Sequence, residues 1–204
     1  AVGFGGAIGY VQGIDKAIEF ISGYFLEESL SIDNIFVFLL LFDYFKVPKK
    51  DELKILEYGI FGAVVLRGLF IGLGAVALEN FHQLLLGFAA ILYVASYKII
   101  FGGEGGDDEE DVSENTVVKF AKAYFKSSDQ FDGDKFFTID NGVRLATPLF
   151  LCLVCIEISD IIFAFDSVPA IFGVTDDPFI VFTSNIFAIL SLRSLYGVLS
   201  KAVS

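Results

Sequence analysis

The sequence predicts an all-α fold, a polytopic transmembrane helix bundle with an inverted two-copy repeat. The first supporting observation is the composition, because 55% of the 204 residues are hydrophobic, 24 are Phe and only 20% are charged, which is far more apolar than a soluble domain. The second is a set of apolar segments long enough to cross roughly 30 Å of hydrocarbon. The third is a motif that occurs twice. We therefore expect an integral membrane protein in contact with a lipid bilayer.

Five apolar segments are predicted to span the membrane. They lie near residues 21–45, 55–78, 82–101, 147–172 and 179–200. They divide the chain into a first membrane half at 1–101, an acidic and polar soluble loop at 102–145 and a second membrane half at 146–204. Small residues recur at every fourth position from Ala1 to Ala17, which predicts close helix packing ahead of the first span. We expect these first residues to be the end of a truncated helix.

Prolines mark several predicted helix ends. Thr147-Pro148 and Asp177-Pro178 each provide an N-cap oxygen followed by a Pro at the first helical position. Pro169 lies inside the fourth apolar segment, where it removes a backbone donor. A kink or a break in the helix is therefore predicted at Pro169.

The Lys and Arg residues predict the orientation. Eleven of them follow the first, third and fifth spans, whereas the alternate connections contain only Lys16. The basic side, which includes the loop 102–145, is therefore predicted to be cytoplasmic or stromal. This loop carries an acidic run at 104–114 and is a candidate surface for protein partners. The net charge of −12 argues against a nucleic-acid partner.

A repeated motif is the most informative feature of the sequence. The segment DNIFVF, which begins at Asp33, recurs as DIIFAF from Asp160 at an offset of 127 residues. The segment LRGLF around Arg67 recurs as LRSLY around Arg193 at an offset of 126. The copies are separated by an odd number of spans, so they are predicted to have opposite orientations. Inverted repeats of this kind are typical of secondary transporters, whose substrate site lies where the two halves meet.

Both copies carry acidic and polar residues inside the predicted spans. The first copy contains Glu27, Glu28, Ser31, Asp33 and Asn34, and the second contains Glu157, Ser159, Asp160, Asp166 and Ser167. Only two cations, Arg67 and Arg193, lie in the spans with them. Each uncompensated charge in a bilayer costs about 2.5–3.5 kcal/mol. The surplus of acids therefore predicts either protonated carboxyl groups or a bound cation.

A divalent metal ion is the favoured cation, because carboxylate, amide and hydroxyl oxygens suit Mn²⁺, Ca²⁺ or Mg²⁺. Two alternatives stay open. The carboxylates could pair with Arg67 and Arg193 and only hold the helices together, and one of Glu27 and Glu28 could face the headgroups instead of binding metal. No nucleophile with a neighbouring base and no phosphate-binding Gly loop is found. We therefore expect a protein that is not an enzyme and that has no permanently bound cofactor.

Several segments together carry a family resemblance. SLSIDNIFVF, YGIFGAVVLR and ATPLFLCLVCIEISDIIFAFDSVPAIFGVTDDPFIVFTSNIFAILSLRSLY resemble the TerC family of integral membrane proteins, named for tellurium resistance and grouped with the LysE-type transporter superfamily. The resemblance covers most of residues 20–200. The acidic loop and FDGDKFFTIDNGVRLATP are more similar to the plastid members of the family. The resemblance implies an all-helical fold with further spans before and after those found here.

The resemblance also implies a function and a set of site residues. Bacterial members are implicated in manganese efflux, and plant members in thylakoid membrane biogenesis. The acidic positions of the family correspond to Glu28, Asp33, Asn34, Glu157, Asp160 and Asp166. Around these expected ligands, the residues predicted to pair charges or support the site are Glu27, Ser31, Ser159, Ser167, Arg67 and Arg193.

Two functions are therefore expected. The first is alternating-access transport of a divalent ion, Mn²⁺ or Ca²⁺, through a carboxylate site at the middle of the membrane. The alternative is a membrane or thylakoid assembly factor without transport activity. The expected location is the thylakoid membrane of a plastid, with the bacterial inner membrane as the alternative.

Overall fold

A computed structural model describes residues 1–80, 116–140 and 142–203, together with residues 87, 90, 93 and 97. The described helices are α1 (Val2–Gln12), α2 (Ile14–Tyr44), α3 (Lys49–Asn80), α4 (116–124), α5 (Pro148–Phe172) and α6 (Pro178–Val203). A hairpin of two strands, β1 (Phe137–Asp140) and β2 (Val143–Ala146), precedes α5. The acidic run 104–114 and nearly all of the predicted third span, 82–101, lie outside the described residues.

Three described helices are long and apolar enough to cross a membrane. They comprise Lys49–Val76 in α3, Pro148–Phe172 in α5 and Pro178–Gly197 in α6, which agree with the predicted second, fourth and fifth spans. The predicted first span, 21–45, lies within α2 except for Phe45, which follows the last residue of the helix. This helix has 31 residues and is therefore long enough to cross a membrane. Its acidic residues keep it from having an apolar stretch as free of charge as those of the three helices named above. The acids of α2 must therefore be compensated by its neighbours if the helix is to lie in the bilayer.

The small residues near the start of the chain pack α1 against α2. Gly13 has a φ of 101°, a left-handed value that favours glycine, and it separates the two helices. A Cβ atom added to Gly9 would lie 3.2 Å from the Cβ atom of Ala17, and one added to Gly5 would lie 3.3 Å from Ile21. The predicted close packing is therefore confirmed, with α1 running antiparallel to the beginning of α2.

The prolines begin helices as predicted, but the caps differ. Asp177 caps α6, because its Oδ1 atom accepts a hydrogen bond of 3.0 Å from the Phe179 N–H group. The Thr147 hydroxyl instead donates to the Lys135 carbonyl at 2.8 Å and leaves α5 without a side-chain cap. Of the predicted kink or break at Pro169, the break is wrong, since α5 continues to Phe172, and the kink stays a prediction. Pro169 lies in the last turn of the helix, where its missing N–H group removes a single backbone bond.

Helices α2, α3, α5 and α6 form the bundle. α2 packs on α5 and α6, and α3 packs on the same two helices. At the basic side, an apolar cluster joins all four helices through residues such as Leu41, Ile55, Leu149 and Leu192. Helix α4 packs against this cluster through buried apolar residues, among them Val117. The end of the bundle that carries the basic loops therefore has a tightly packed apolar core.

The hairpin is a departure from the predicted all-α class. Its strands pair antiparallel with Asp140 opposite Val143, and Gly142 has a φ of 77°. The sequence Asp140-Asn141-Gly142 between two β-prone runs is a strong hairpin signal that the apolar composition obscured. The preceding segment is attached to α3 by a contact of 2.8 Å between Lys54 and Asp134. A hydrogen bond from the Lys54 ammonium group lowers the pKa of Asp134 below its usual value.

Candidate metal site

Arg67 is the centre of a buried polar cluster. This side chain of α3 is only 1% exposed. Its Nη2 and Nε atoms donate to the two carboxylate oxygens of Asp160 on α5 at 2.8 and 3.3 Å. Its Nη1 atom forms an ion pair with Glu27 of α2 and donates to Asn185 Oδ1 of α6 at 2.7 Å. One guanidinium group therefore joins all four helices of the bundle.

Glu27 is completely buried and is satisfied by its neighbours. Ser31, one turn further along α2, donates to Glu27 Oε1 at 3.3 Å, and Asn185 Nδ2 approaches Glu27 Oε2 at 3.4 Å. Asn185 therefore accepts a hydrogen bond from Arg67 and donates one to Glu27. A buried ion pair is stable only when the remaining donors and acceptors are also paired, and Ser31 and Asn185 provide that pairing.

Glu157 lies one turn before Asp160 on α5, and its carboxylate is less well compensated. Its Oε2 atom is buried and has no hydrogen-bond partner among the residues that the structure describes. The carboxylate is directed at Gly62 of α3, where an added Cβ atom would overlap Glu157 Oε1. Gly62 thus provides the space that the Glu157 side chain occupies between α3 and α5.

The other predicted residues are placed in several ways. Glu28 is turned away from Arg67 and accepts a hydrogen bond from Ser191 of α6. Asn34, Ser159 and Ser167 are buried, and Ser167 Oγ has no hydrogen-bond partner. The side chains of three further predicted site residues lie outside the described part of the structure, namely Asp33, Asp166 and Arg193.

The structure brings Glu27, Ser31, Arg67 and Asp160 together, but it does not show an assembled metal site. Among the side chains that the structure describes, no three acidic, His or Cys groups converge closely enough to hold a metal ion together. Glu27, which was expected to support the site, lies at its centre, whereas the expected ligand Glu28 contacts Ser191. The six ligand assignments stay predictions.

Two residues of the cluster were not predicted from the sequence. Asn185 contacts both Arg67 and Glu27, and Ser191 contacts Glu28. The candidates weighed in the spans came from the two acidic stretches at 27–34 and 157–167, together with Arg67 and Arg193, and neither Asn185 nor Ser191 lies in those stretches. A buried amide in an apolar helix also requires a partner, so the segment Thr183-Ser184-Asn185 could have identified this side of the site.

Comparison with known proteins supports the membrane assignment. The sequence profile of the Integral membrane protein TerC family matches residues 12–204. The chain belongs to the TerC family. The family resemblance predicted from the repeated motifs is thus confirmed, and the chain is an integral membrane protein.

Relatives of this TerC chain occur in plants and bacteria. It is 50% identical to "Thylakoid membrane protein TERC, chloroplastic" of Arabidopsis thaliana, over 100% of this chain and 52% of the relative. It is 43% identical to "Uncharacterized membrane protein STKORF319" of Myxococcus xanthus, over 100% of this chain and 63% of the relative. It is 44% identical to the protein named "Putative membrane-bound redox modulator Alx" of Salmonella typhi, over 91% of this chain and 56% of the relative.

These TerC proteins are longer than the chain, which spans between about half and two thirds of their lengths. The likeness to a chloroplast protein agrees with the predicted resemblance to plastid members. No solved structure matches the chain.

Replacement of Arg67 tests how strongly the central ion pairs hold the bundle together. We expect Arg67→Gln to lower the free energy of unfolding by about 3–5 kcal/mol, because it leaves buried carboxylates without their counter-charge. The measurement is thermal or denaturant unfolding of the full-length protein in detergent. Arg144→Gln on the exposed hairpin is the matched control and should have little effect. Adding Asp160→Asn to Arg67→Gln should recover part of the loss, and a double variant no more stable than Arg67→Gln alone would contradict the pairing.

Replacement of Gly62 tests the packing around Glu157. We expect Gly62→Ala to destabilise the protein by about 1–3 kcal/mol, because its methyl group would occupy the space of the Glu157 carboxylate. Gly72→Ala on the same helix is the control, since its Cβ atom would meet no atom within 4 Å. Equal unfolding midpoints for the two variants would show that Glu157 does not depend on this space.

Proposed function

We propose that this TerC protein transports divalent metal ions across the membrane, with Mn²⁺ as the first candidate and Ca²⁺ as the second. The observation that carries the proposal is the unequal charge of the central cluster. Arg67 pairs with both Glu27 and Asp160, while Glu157, one turn from Asp160, has an Oε2 atom without a partner among the described residues. Uncompensated carboxylates in a bilayer are costly, and a cation removes that cost.

In the conformation that the structure describes, Arg67 holds the position between Glu27 and Asp160 that a cation would otherwise take. We infer that metal entry separates Asp160 from Arg67. Arg67 then neutralises Glu27, while the ion neutralises Asp160 and Glu157, which lie one turn apart on α5. With the ion bound, all three carboxylates have a counter-charge, whereas without it Glu157 has no such partner among the described residues.

The donor set supports the choice of ion. Carboxylate and hydroxyl oxygens are hard ligands that suit Mn²⁺, Mg²⁺ and Ca²⁺. Ser167, whose buried hydroxyl has no partner, is a further oxygen on α5. In this proposal the metal is the transported substrate, and the protein is neither an enzyme nor the holder of a resident cofactor.

An inverted repeat would provide alternating access to the site. The helix directions support it, because Lys16 at the start of α2 lies 3.6 Å from Asp177 just before α6, while Glu52 at the start of α3 contacts Tyr196 near the end of α6. Helices α2 and α6 therefore run in one direction, and α3 runs in the other. By sequence register, Asp33 and Arg193 are the counterparts of Asp160 and Arg67. We propose that both copies contribute acids to one path.

The proposed location is the thylakoid membrane. It is supported by the 50% identity to a thylakoid protein over the whole of this chain. The basic loops would then face the stroma.

Replacement of Asp160 tests the transport function. We expect Asp160→Asn to lower Mn²⁺ flux at least about tenfold, because loss of a residue that orders a metal site costs about 10–100-fold in affinity or activity. The measurement is Mn²⁺ uptake by proteoliposomes that contain the full-length protein. Asp140→Asn on the exposed hairpin should leave flux unchanged. Normal flux in Asp160→Asn, or no flux in the parent protein, would contradict the proposal.

The alternative function is membrane or thylakoid assembly through protein partners at the loop 102–145. Exposed apolar side chains on its described part favour this alternative, including Phe120 and Tyr124 on α4 and Ile139 on the hairpin. Contiguous exposed apolar surface often marks an interaction site.

Two variants, Asp160→Asn and Ile139→Ser, distinguish the two functions. If the protein is an assembly factor, a folded Asp160→Asn variant should keep its function and Ile139→Ser should lose it. If the protein is a transporter, Asp160→Asn should lose function and Ile139→Ser should keep it.

A further inference from the structure

Two separate spaces lie between the basic surface and the central cluster. The outer one is a polar pocket of about 290 Å³ at the turn between α2 and α3, lined by Phe42, Asp43 and Glu52 among others. The inner one is an apolar cavity of about 30 Å³, lined by Ala63, Asp160 and Tyr196 among others. The inner cavity thus reaches Asp160, whereas the outer pocket opens at the side of the basic loops.

Side chains from the wall of one space contact a side chain from the wall of the other. Phe42 lines the outer pocket and Tyr196 lines the inner cavity, and their rings meet edge to face with centroids 5.9 Å apart. The Tyr196 hydroxyl donates a hydrogen bond to Glu52, which lines the outer pocket. The contact between Tyr196 and Glu52 therefore holds α6 against the start of α3 at the point where the two spaces would otherwise join.

The inner cavity is too small to hold a hydrated ion. A cavity of about 30 Å³ has room for only one or two water molecules. A divalent ion such as Mg²⁺ prefers about six oxygen ligands and releases its waters reluctantly. Among the described residues, the Phe42 and Tyr196 rings meet between the outer pocket and the inner cavity, so a hydrated ion that takes this route to Asp160 requires the rings to separate.

We propose that Tyr196 and Glu52 form a gate that closes the path from the basic side to Asp160, and that the Glu52 carboxylate receives the ion when the gate opens. This inference rests on the transport function proposed above. Lys49 forms an ion pair of 3.7 Å with Glu52, so the carboxylate has two partners in the closed state. A metal ion that binds Glu52 competes with the hydrogen bond from Tyr196 and so weakens the contact that holds the gate closed.

Solvent access to the inner cavity tests the gate without relying on metal transport. Ala63→Cys, in a full-length protein with Cys152→Ala and Cys155→Ala, places a single thiol of the described chain in the cavity wall. The probe is a membrane-impermeant maleimide, added to proteoliposomes on the side of the basic loops. We expect Tyr196→Phe to accelerate labelling by about tenfold, because a hydrogen bond to a charged group shifts an equilibrium by a factor of that order. Glu52→Ala, which removes the acceptor, should have the same effect.

Matched controls distinguish the gate from a general loosening of the bundle. Tyr58→Phe removes an exposed hydroxyl from α3, and Asp43→Asn removes a carboxylate from the wall of the outer pocket without touching Tyr196. Neither should change the labelling rate. The gate is overturned if labelling is equally fast in the parent and in both gate variants, or if the controls accelerate it to the same extent.

Metal flux through the same vesicles separates the two proposals. Faster labelling in Tyr196→Phe without Mn²⁺ flux in the parent protein would support the gate as a solvent barrier and reject the transport function. The opposite result is normal Mn²⁺ flux in the parent protein, with neither labelling nor flux changed in Tyr196→Phe and Glu52→Ala. That result would reject the gate but not the transport function.

Discussion

The guanidinium group of Arg67 is the constraint on which the bundle depends. It contacts Glu27, Asp160 and Asn185, each from a different helix, in the membrane interior where no water is available to solvate a charge. Apolar packing alone gives little preference for one helix arrangement over another in lipid, because lipid tails are as apolar as Leu side chains. The polar contacts of Arg67 therefore fix which faces of α2, α3, α5 and α6 meet.

The same interaction explains how a buried acidic site can be both stable and exchangeable. Arg67 is a tethered cation that pairs with Asp160, and Glu157 one turn away has no such partner within the described part of the chain. A divalent ion that takes Asp160 and Glu157 leaves Arg67 paired with Glu27. In the proposed gate, the contact between Tyr196 and Glu52 at the basic side controls access to Asp160. In this account, charge compensation at the centre and a hydrogen bond at the entrance perform separate tasks.

The sequence predicts what local pattern determines and misses what depends on neighbouring helices. The apolar runs gave the helices near 55–78, 147–172 and 179–200, because hydropathy is a property of each segment by itself. The choice between Glu27 and Glu28 was left open, since adjacent residues on a helix point in different directions and only the positions of α3 and α6 decide which one meets Arg67 and which one meets Ser191. Asn185 was missed because it lies on α6, outside the two acidic stretches at 27–34 and 157–167. The sequence Asp140-Asn141-Gly142 predicts a hairpin, but the apolar composition obscured this signal.

The most direct test of the central claim is anomalous scattering at the manganese edge from the full-length protein with and without Mn²⁺. The account predicts a Mn²⁺ peak bonded to oxygens of Asp160 and Glu157 at about 2.0–2.6 Å. It also predicts that the contact of 2.8 Å between Arg67 Nη2 and Asp160 Oδ1 is present only without metal. A peak far from these carboxylates, or an Arg67 contact that is unchanged when Mn²⁺ is bound, would contradict the account.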